Sequence, residues 1–312
     1  MTAGRLIYIA WYRPWACLQR SWREGGPLAQ WTTRHGRLQM AAAAGCLPPL
    51  PPAPPGAPEV CFLTGQRFWF QTAFCFWSLF HNAGRPLRAV FVDDGTFNDR
   101  LREECSRMFP GSRVLDAGAI AASLDRHLPA ARFPVLRARR LEYPNLRKLT
   151  DIHAGERGWR LVLDSDMLFF RRPELLLSWL DAPGRPLYMT DLQDAYGYSQ
   201  ALMESLAGQP IPHRLNVGLC GLCSDEIDWD KLESWCRRLQ DAEGTSYYQE
   251  QALVAMLLAG RQCLVASPEG YRLMPDDNEA RHPTAVMHHY VDRSKRGYFR
   301  HAWRHLAGQA AV

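Results

Sequence analysis

The stretch RLVLDSDMLFF, which runs from Arg160 to Phe170, places two carboxylates, Asp164 and Asp166, inside an otherwise apolar run. In a strand, side chains two positions apart point to the same side, so the two carboxylates converge and Ser165 faces the other way. Because like charges held together repel each other, such a pair indicates a cation between them. Oxygen ligands suit Mg²⁺ or Mn²⁺. The stretch therefore predicts a divalent metal site at the end of a buried strand; the plainer alternative is a solvated acidic turn.

The overall composition is that of an ordinary globular protein. The chain has 312 residues, of which 47% are hydrophobic and 22% charged, and a net charge of +5, enough for one large α/β domain or two small ones. The scattered positive charge suits a nucleotide diphosphate, and without a recognition motif we expect no nucleic-acid partner. Nine irregularly spaced cysteines, with no signal peptide or membrane-length apolar run, predict reduced thiols and a cytoplasmic location.

The first 47 residues differ from the rest, because Trp11, Trp15, Trp22 and Trp31 lie there among many arginines. Segments of this kind can lie on a membrane surface, which would make the protein peripheral at the inner membrane. The alternative is that the tryptophans pack onto the main domain. Both interpretations stay open at the level of sequence.

A proline-rich run and the pattern that follows it suggest the domain organisation. LPPLPPAPPGAP, from Leu47 to Pro58, predicts a stiff polyproline linker that cannot join a sheet. We therefore expect an N-terminal extension at 1–47, a linker at 48–58, a catalytic domain at 59–305 and a tail at 306–312.

After the linker, predicted strands and helices alternate. Alternation of this kind is typical of an α/β fold with a mostly parallel, doubly wound sheet, in which ligands bind beyond the carboxyl ends of the strands. The predicted strands are 59–64, 87–92, 113–115 and 160–169. The predicted helices are 68–82, 97–109 and 173–180, and residues 139–155 are predicted to be helical after Pro144.

Two classes of metal-dependent enzyme use paired aspartates at a strand end. In haloacid-dehalogenase-type phosphatases the first aspartate is a nucleophile in a DxDx(T/V) pattern, but Leu168 takes the Thr/Val place here. In the other candidate stretch, FVDDGT, the nucleophile position falls on Val92. The second class is the metal-dependent glycosyltransferases of the GT-A fold, whose DxD motif LVLDSDMLFFRRPELL resembles.

A segment near the C-terminus supports the second class. AVMHHYVDRSKRGYFR places Lys295 six residues after His289, which is similar to the H-[YF]-x₄-K segment of glycosyltransferase family 8, the glycogenin and galactosyltransferase type. The resemblance implies that His289 is the third metal ligand and that Lys295 contacts the diphosphate of the donor. Neutral imidazole and a lysine point charge suit those roles. The adjacent His288 stays open as the ligand.

Further segments match the same family in order along the chain. LNVGLCGL resembles the family's F-N-[SA]-G strand, which implies that Asn216 and Gly218 lie beside the sugars. YQEQAL resembles its D-Q segment, with Glu250 in the aspartate place and Gln251 in the glutamine place. LRKL resembles the helix that precedes the DxD motif, so Lys148 would contact the nucleotide or diphosphate.

The nucleotide and sugar ends of the donor site follow from the same resemblance. FLTG is similar to the first-strand turn that holds uracil and ribose, which implies donor contacts by Thr64 and Gly65. Ser165 of the DxD motif would also contact the donor. Asp191 occupies a place where family members often bind sugar hydroxyls.

The implied activity is transfer of a sugar from a nucleotide sugar, a UDP-sugar, to an acceptor hydroxyl, with Mn²⁺ or Mg²⁺ as cofactor. Family likeness implies retention of anomeric configuration, with Gln251 and Glu250 lining the sugar side. Inversion would instead require a base, for which Glu250 and Asp191 are the candidates. The acceptor, whether glycan, lipid or protein, stays open. The alternatives are a phosphatase or nucleotidyltransferase using the two aspartates, or a non-catalytic homologue that binds nucleotide sugars.

Overall fold

The computed structural model describes residues 25–310, and these form two compact units. The sheet unit comprises residues 48–273 and 284–289. The terminal unit comprises residues 25–47, 274–283 and 290–310.

The strands of the sheet unit form two sheets. They are β1 (Glu59–Thr64), β2 (Arg88–Asp93), β3 (Arg113–Leu115), β4 (Trp159–Leu163), β5 (Met167–Phe169), β6 (Leu187–Thr190), β7 (Leu215–Cys223), β8 (Leu264–Ala266), β9 (Tyr271–Leu273) and β10 (Met287–His289). The larger sheet has the order β3-β2-β1-β4-β7-β6-β8, and the smaller has the order β5-β10-β9.

Most pairs in the larger sheet are parallel. β1 pairs in parallel with both β2 and β4, and β2 with β3. Among the described strands of this sheet, β7 alone runs against its neighbours, β4 and β6. Helices lie between the strands along the chain, and the fold is the predicted α/β fold with a mostly parallel sheet flanked by helices.

The predicted helices at 68–82, 97–109 and 173–180 are all present, and the structure adds further helices that were not predicted. The described helices are α1 (Gly26–Ala44), α2 (Trp69–Ala83), α3 (Asp99–Met108), α4 (Ala117–His127), α5 (Pro134–Glu142), α6 (Arg147–His153), α7 (Glu174–Asp181), α8 (Gln200–Ala207), α9 (Trp229–Glu243), α10 (Gln249–Leu257), α11 (Asp277–Arg281), α12 (Lys295–Gly297) and α13 (Trp303–Ala310). The predicted helical segment after Pro144 is confirmed: a 3₁₀ turn covers Pro144–Leu146 and α6 follows, whereas α5 ends before the proline, at Glu142. Pro144 breaks the helix, because the residue before a proline disfavours helical backbone.

The predicted strand at 160–169 is also divided. β4 ends at Leu163, and the amide of Asp164 still donates to the carbonyl of Gly218 on β7 (2.7 Å). β5 begins at Met167 and pairs with β10 in the smaller sheet. The two aspartates therefore occupy the connection between the two sheets rather than one continuous strand. The last three residues of β4 and all of β5 are apolar and buried, so the connection is held from both ends.

The proline-rich segment is hydrogen-bonded within the sheet unit. The amide of Leu50 donates to the carbonyl of Met108 (2.8 Å), and that of Ala53 donates to the carbonyl of Pro110 (2.9 Å). This segment therefore lies along the end of α3. The predicted boundaries of extension, linker, domain and tail stay predictions.

The terminal unit is helical, and α1 packs there against residues 298–302. Gly36 permits the close approach, because a β-carbon at this position would lie 2.1 Å from the carbonyl oxygen of Phe299. Trp11, Trp15 and Trp22 of the predicted extension lie outside the described residues. Within residues 25–310, no helix combines the length and apolarity needed to cross a bilayer.

Candidate metal and donor site

Three predicted ligands come together where the two sheets meet. The pairing of β10 with β5 places His289 opposite Met167, next to the connection that carries the two aspartates. His289 Nε2 lies 3.1 Å from Asp166 Oδ1 and 3.6 Å from Asp164 Oδ2. One ligand atom from each of the three side chains falls within 4.8 Å of the other two. Two carboxylates and an imidazole form a donor set that suits Mn²⁺ or Mg²⁺.

The surroundings of His289 favour a role as a ligand. A β-carbon at Gly218 would lie 2.3 Å from His289 Cε1, so the ring occupies space that only glycine leaves open. The Nδ1 atom is buried and has no hydrogen-bond partner among the described residues, while Nε2 faces the aspartates. His288 is also buried, but its ring lies 4.8 Å from that of Phe170. Of the two histidines, His289 is the one that joins the acidic pair.

Lys148 connects the acidic pair to the predicted sugar side. Its Nζ lies 2.8 Å from Asp164 Oδ1 and 3.2 Å from Glu250 Oε2, and its side chain is only 8% exposed. Burial alone would lower the pKa of Lys148, but the two carboxylates outweigh burial and hold that pKa above its usual value. The ammonium group therefore stays charged, and it contacts the carboxyl groups of both Asp164 and Glu250.

Glu250 lies at the start of α10 and is 4% exposed. Burial raises the pKa of this carboxyl to about 8; Lys148 opposes that rise and the charge of Asp164 adds to it. The substitution of glutamate for the family's aspartate thus leaves a carboxyl group in contact with Lys148. Its proton affinity is far above that of an exposed glutamate.

Asp191, Asn216 and Gln251 form a second polar cluster. Asn216 Nδ2 donates to Asp191 Oδ2 (2.7 Å), and Gln251 Nε2 lies 3.4 Å from the same oxygen. Gln251 Nε2 also donates to the carbonyl of Ala195 (2.8 Å), and its Oε1 lies 3.4 Å from the amide nitrogen of Val217. These bonds set the orientation of both amide groups around one carboxylate. An oriented carboxylate between two amides is well suited to hydrogen-bond sugar hydroxyls.

A chain of hydroxyl groups runs from β1 to the acidic pair. Thr64 Oγ1 lies 2.6 Å from Thr72 Oγ1, which in turn lies 2.7 Å from Ser165 Oγ. The sequence did not single out Thr72, because a threonine inside the apolar helix α2 carries no motif of its own. Only the packing of α2 shows that it joins two predicted donor residues.

Gly65 lies where backbone and side chains crowd together. A β-carbon there would lie 1.9 Å from Asp94 Oδ1 and 2.2 Å from Thr96 Oγ1. Asp94 belongs to the turn after β2, which the sequence suggested only as a phosphatase motif. Its Oδ1 accepts from the amide of Thr96 (3.0 Å), so its carboxylate shapes this turn.

Lys295 belongs to the terminal unit, where it begins the short helix α12. Its contact with the diphosphate stays a prediction.

Comparison with known proteins identifies the fold. No protein-family model and no curated protein matches the sequence. Among solved structures, galactosyltransferase LgtC in complex with donor and acceptor sugar analogues matches with a TM-score of 0.54 at 16% identity, over 80% of this chain and 95% of that chain. Mouse xyloside xylosyltransferase 1 (TM-score 0.47, 16% identity, 75% and 97% covered) and the bifunctional glycosyltransferase WbbM (0.49, 14%, 84% and 53%) are also similar. The chain thus has the GT-A fold that its sequence predicts, and it resembles glycosyltransferases of the LgtC type.

Proposed function

We propose that this protein is a metal-dependent glycosyltransferase that moves a sugar from a nucleotide sugar, a UDP-sugar, to an acceptor hydroxyl. The observation that supports it is the convergence of Asp164, Asp166 and His289 beyond the carboxyl end of β4, in a GT-A fold. Ligands of α/β sheets bind at such strand ends. A phosphatase or nucleotidyltransferase would use the aspartates but gives His289 no role.

Asp164, Asp166 and His289 would hold Mn²⁺ or Mg²⁺. When bound, such an ion neutralises charge on the diphosphate leaving group. Lys148 acts mainly on Asp164: its buried ammonium binds Oδ1, which leaves Oδ2 on the His289 side. In this proposal Lys148 is therefore a positioning residue rather than a direct diphosphate ligand. Lys295 is the proposed diphosphate contact.

Asp191, Asn216 and Gln251 would bind the hydroxyls of the transferred sugar. Their mutual hydrogen bonds restrict their orientations before substrate arrives, which reduces the reorganisation needed in the transition state. The remaining proposed contacts to the nucleotide and sugar of the donor are Thr64, Gly65, Ser165 and Gly218.

Stereochemistry follows from which group faces the anomeric carbon. With retention, the leaving diphosphate itself can accept the acceptor proton, and no protein base is required. Glu250 and Asp191 are then lining groups. With inversion, one of Glu250 and Asp191 must serve as the base. The raised pKa of the Glu250 carboxyl suits that role at neutral pH.

Calorimetric titration of UDP into the protein, with and without Mn²⁺, tests the proposal. We expect UDP binding that requires Mn²⁺, is stronger than that of other nucleoside diphosphates, and is lost in Asp166→Ala. Asp125→Ala is the matched control, because Asp125 is an exposed carboxylate on α4 that pairs with Arg137. Unchanged UDP affinity in Asp166→Ala would refute the site.

Turnover separates the remaining alternatives. Metal-dependent hydrolysis of a UDP-sugar to UDP and free sugar supports a transferase. Release of inorganic phosphate would favour a phosphatase, and binding without hydrolysis would favour a non-catalytic homologue. The cytoplasmic location stays a prediction, as does a membrane contact somewhere in residues 1–47.

A further inference from the structure

Helix α1 of the terminal unit exposes a stripe of large apolar side chains. Leu28, Trp31 and Leu38 are 74%, 61% and 63% exposed. Their spacing of three and seven residues places them on one side of the helix, at about 100° per residue. His35, on the same side, stacks on Trp31 with ring centroids 5.3 Å apart. We call Leu28, Trp31 and Leu38 the outer stripe.

The opposite side of α1 is fixed by packing, so the outer stripe cannot turn inward. Met40 and Ala44 are 0% and 1% exposed. Gly36 packs on the backbone of Phe299, and Arg300 Nε donates to Thr33 Oγ1 (2.9 Å). The helix thus buries the side that carries Gly36, Met40 and Ala44, and it turns two leucines and a tryptophan outward. This is the reverse of what folding alone favours.

The helix that carries the stripe, and the unit to which it belongs, have a net positive charge. Residues 25–47 include Arg34 and Arg37 and no acidic residue, and the described terminal unit carries eight lysines and arginines against four aspartates and glutamates. Arg34 is exposed on the same helix. The preceding residues 1–24 add four arginines and one acid, Glu24.

We propose that the outer stripe docks on the surface of an anionic lipid bilayer. Tryptophan and leucine on one side of a helix, flanked by arginines, fit the boundary between head groups and acyl chains. The charge complementarity favours anionic lipid over a neutral surface. This proposal does not depend on the transferase activity, and it refines the contact of residues 1–47 to one side of one helix.

Co-sedimentation of the full-length protein with vesicles tests the proposal. The probes are vesicles of phosphatidylglycerol and phosphatidylcholine, and vesicles of phosphatidylcholine alone. We expect binding to the anionic vesicles that weakens with added salt, and weak or no binding to the neutral ones. Trp31→Ser/Leu38→Ser should reduce the affinity for anionic vesicles by at least about tenfold, because each buried side chain of this size contributes that much or more.

The matched control is Leu141→Ser/Val265→Ser, which removes two apolar side chains of the sheet unit that are 65% and 45% exposed. It should bind anionic vesicles like the wild type. Unchanged thermal unfolding, followed by circular dichroism, checks that both variants fold.

Three results would overturn the proposal. One is no binding of the wild type to anionic vesicles, and another is equal binding by the stripe variant. The third is a wild-type dimer in solution that Trp31→Ser/Leu38→Ser converts to a monomer without changing vesicle binding. That result would assign the stripe to a second copy of the chain.

Discussion

Gly218 lies directly against the ring of His289, with room for no side chain between them: a β-carbon at position 218 would come within 2.7 Å of Nδ1 as well as 2.3 Å of Cε1. The backbone of β7 thus supports one side of the imidazole. Because the other side of the ring leads to Asp164 and Asp166, this single backbone contact sets the direction of Nε2.

We expect Gly218→Ala to displace the ring and weaken Mn²⁺ binding by about 10- to 100-fold, as loss of a supporting contact typically does. Gly221→Ala on the same strand is the control, since its β-carbon would lie 2.5 Å from Trp179 Cζ2 instead. Both variants overfill the interior and should lose about 1–3 kcal/mol of unfolding free energy. Calorimetry with Mn²⁺ distinguishes them, and equal affinities would count against the role of Gly218.

The two adjacent histidines should behave differently when removed. His289→Ala takes away a ligand and should weaken Mn²⁺ binding by more than about a hundredfold, beyond the effect of an outer-sphere change. His288→Ala removes a ring that packs beside Phe170 and should lower the unfolding temperature while keeping Mn²⁺ affinity. Manganese titration followed by electron paramagnetic resonance measures both. If His288→Ala lost Mn²⁺ binding and His289→Ala kept it, the metal ligand would be His288 instead of His289.

Above the pKa of about 8 at which Glu250 ionises, Lys148→Met should be strongly destabilising, because it leaves the carboxylates of Asp164 and Glu250 close together without their ammonium. Breaking a buried ion pair in this way costs about 3–5 kcal/mol. Adding Glu250→Gln should recover part of that loss, since one of the two carboxylates is then neutral. Urea unfolding of the two single variants and the double variant gives the coupling energy. Simple additivity would show that the two side chains do not interact.

The free energy of unfolding should fall as pH rises, because the buried carboxyl of Glu250 must then ionise. Burial raises the pKa of its carboxyl to about 8, whereas in the unfolded chain it titrates in the ordinary range. The folded state therefore binds the proton more tightly. The resulting contribution to the free energy of unfolding is fully present below the ordinary pKa range of glutamate. It is lost as pH rises through about 8.

Unfolding free energy measured in urea with EDTA, from about pH 5 to about pH 9, checks this expectation. Glu250→Gln keeps the shape of the side chain but cannot ionise, so its curve should lack the Glu250 component. Parallel curves for wild type and variant would contradict the assignment.

Much of the fold was predictable because it depends on local patterns. Apolar runs separated by glycine and proline located the first strands and several helices of the sheet unit, as the match of the predicted helix 68–82 to α2 shows. The helical segment after Pro144 was also predicted, because a proline is itself a local signal. The prediction was wrong for residues 160–169, which it treated as one strand, since nothing in the run itself shows that β5 pairs with β10 in another sheet.

The sequence by itself determined the types and order of the candidate functional groups: the DSD motif, the Asn-x-Gly strand, the Glu-Gln pair and the C-terminal histidine. It did so because motifs are short and local. Only the tertiary structure decided that His289, not His288, meets Asp164 and Asp166, that Lys148 joins Asp164 to Glu250, and that the outer stripe of α1 faces away from its own unit. Each of these depends on strand pairing and helix packing between segments far apart in the chain, which no local pattern encodes.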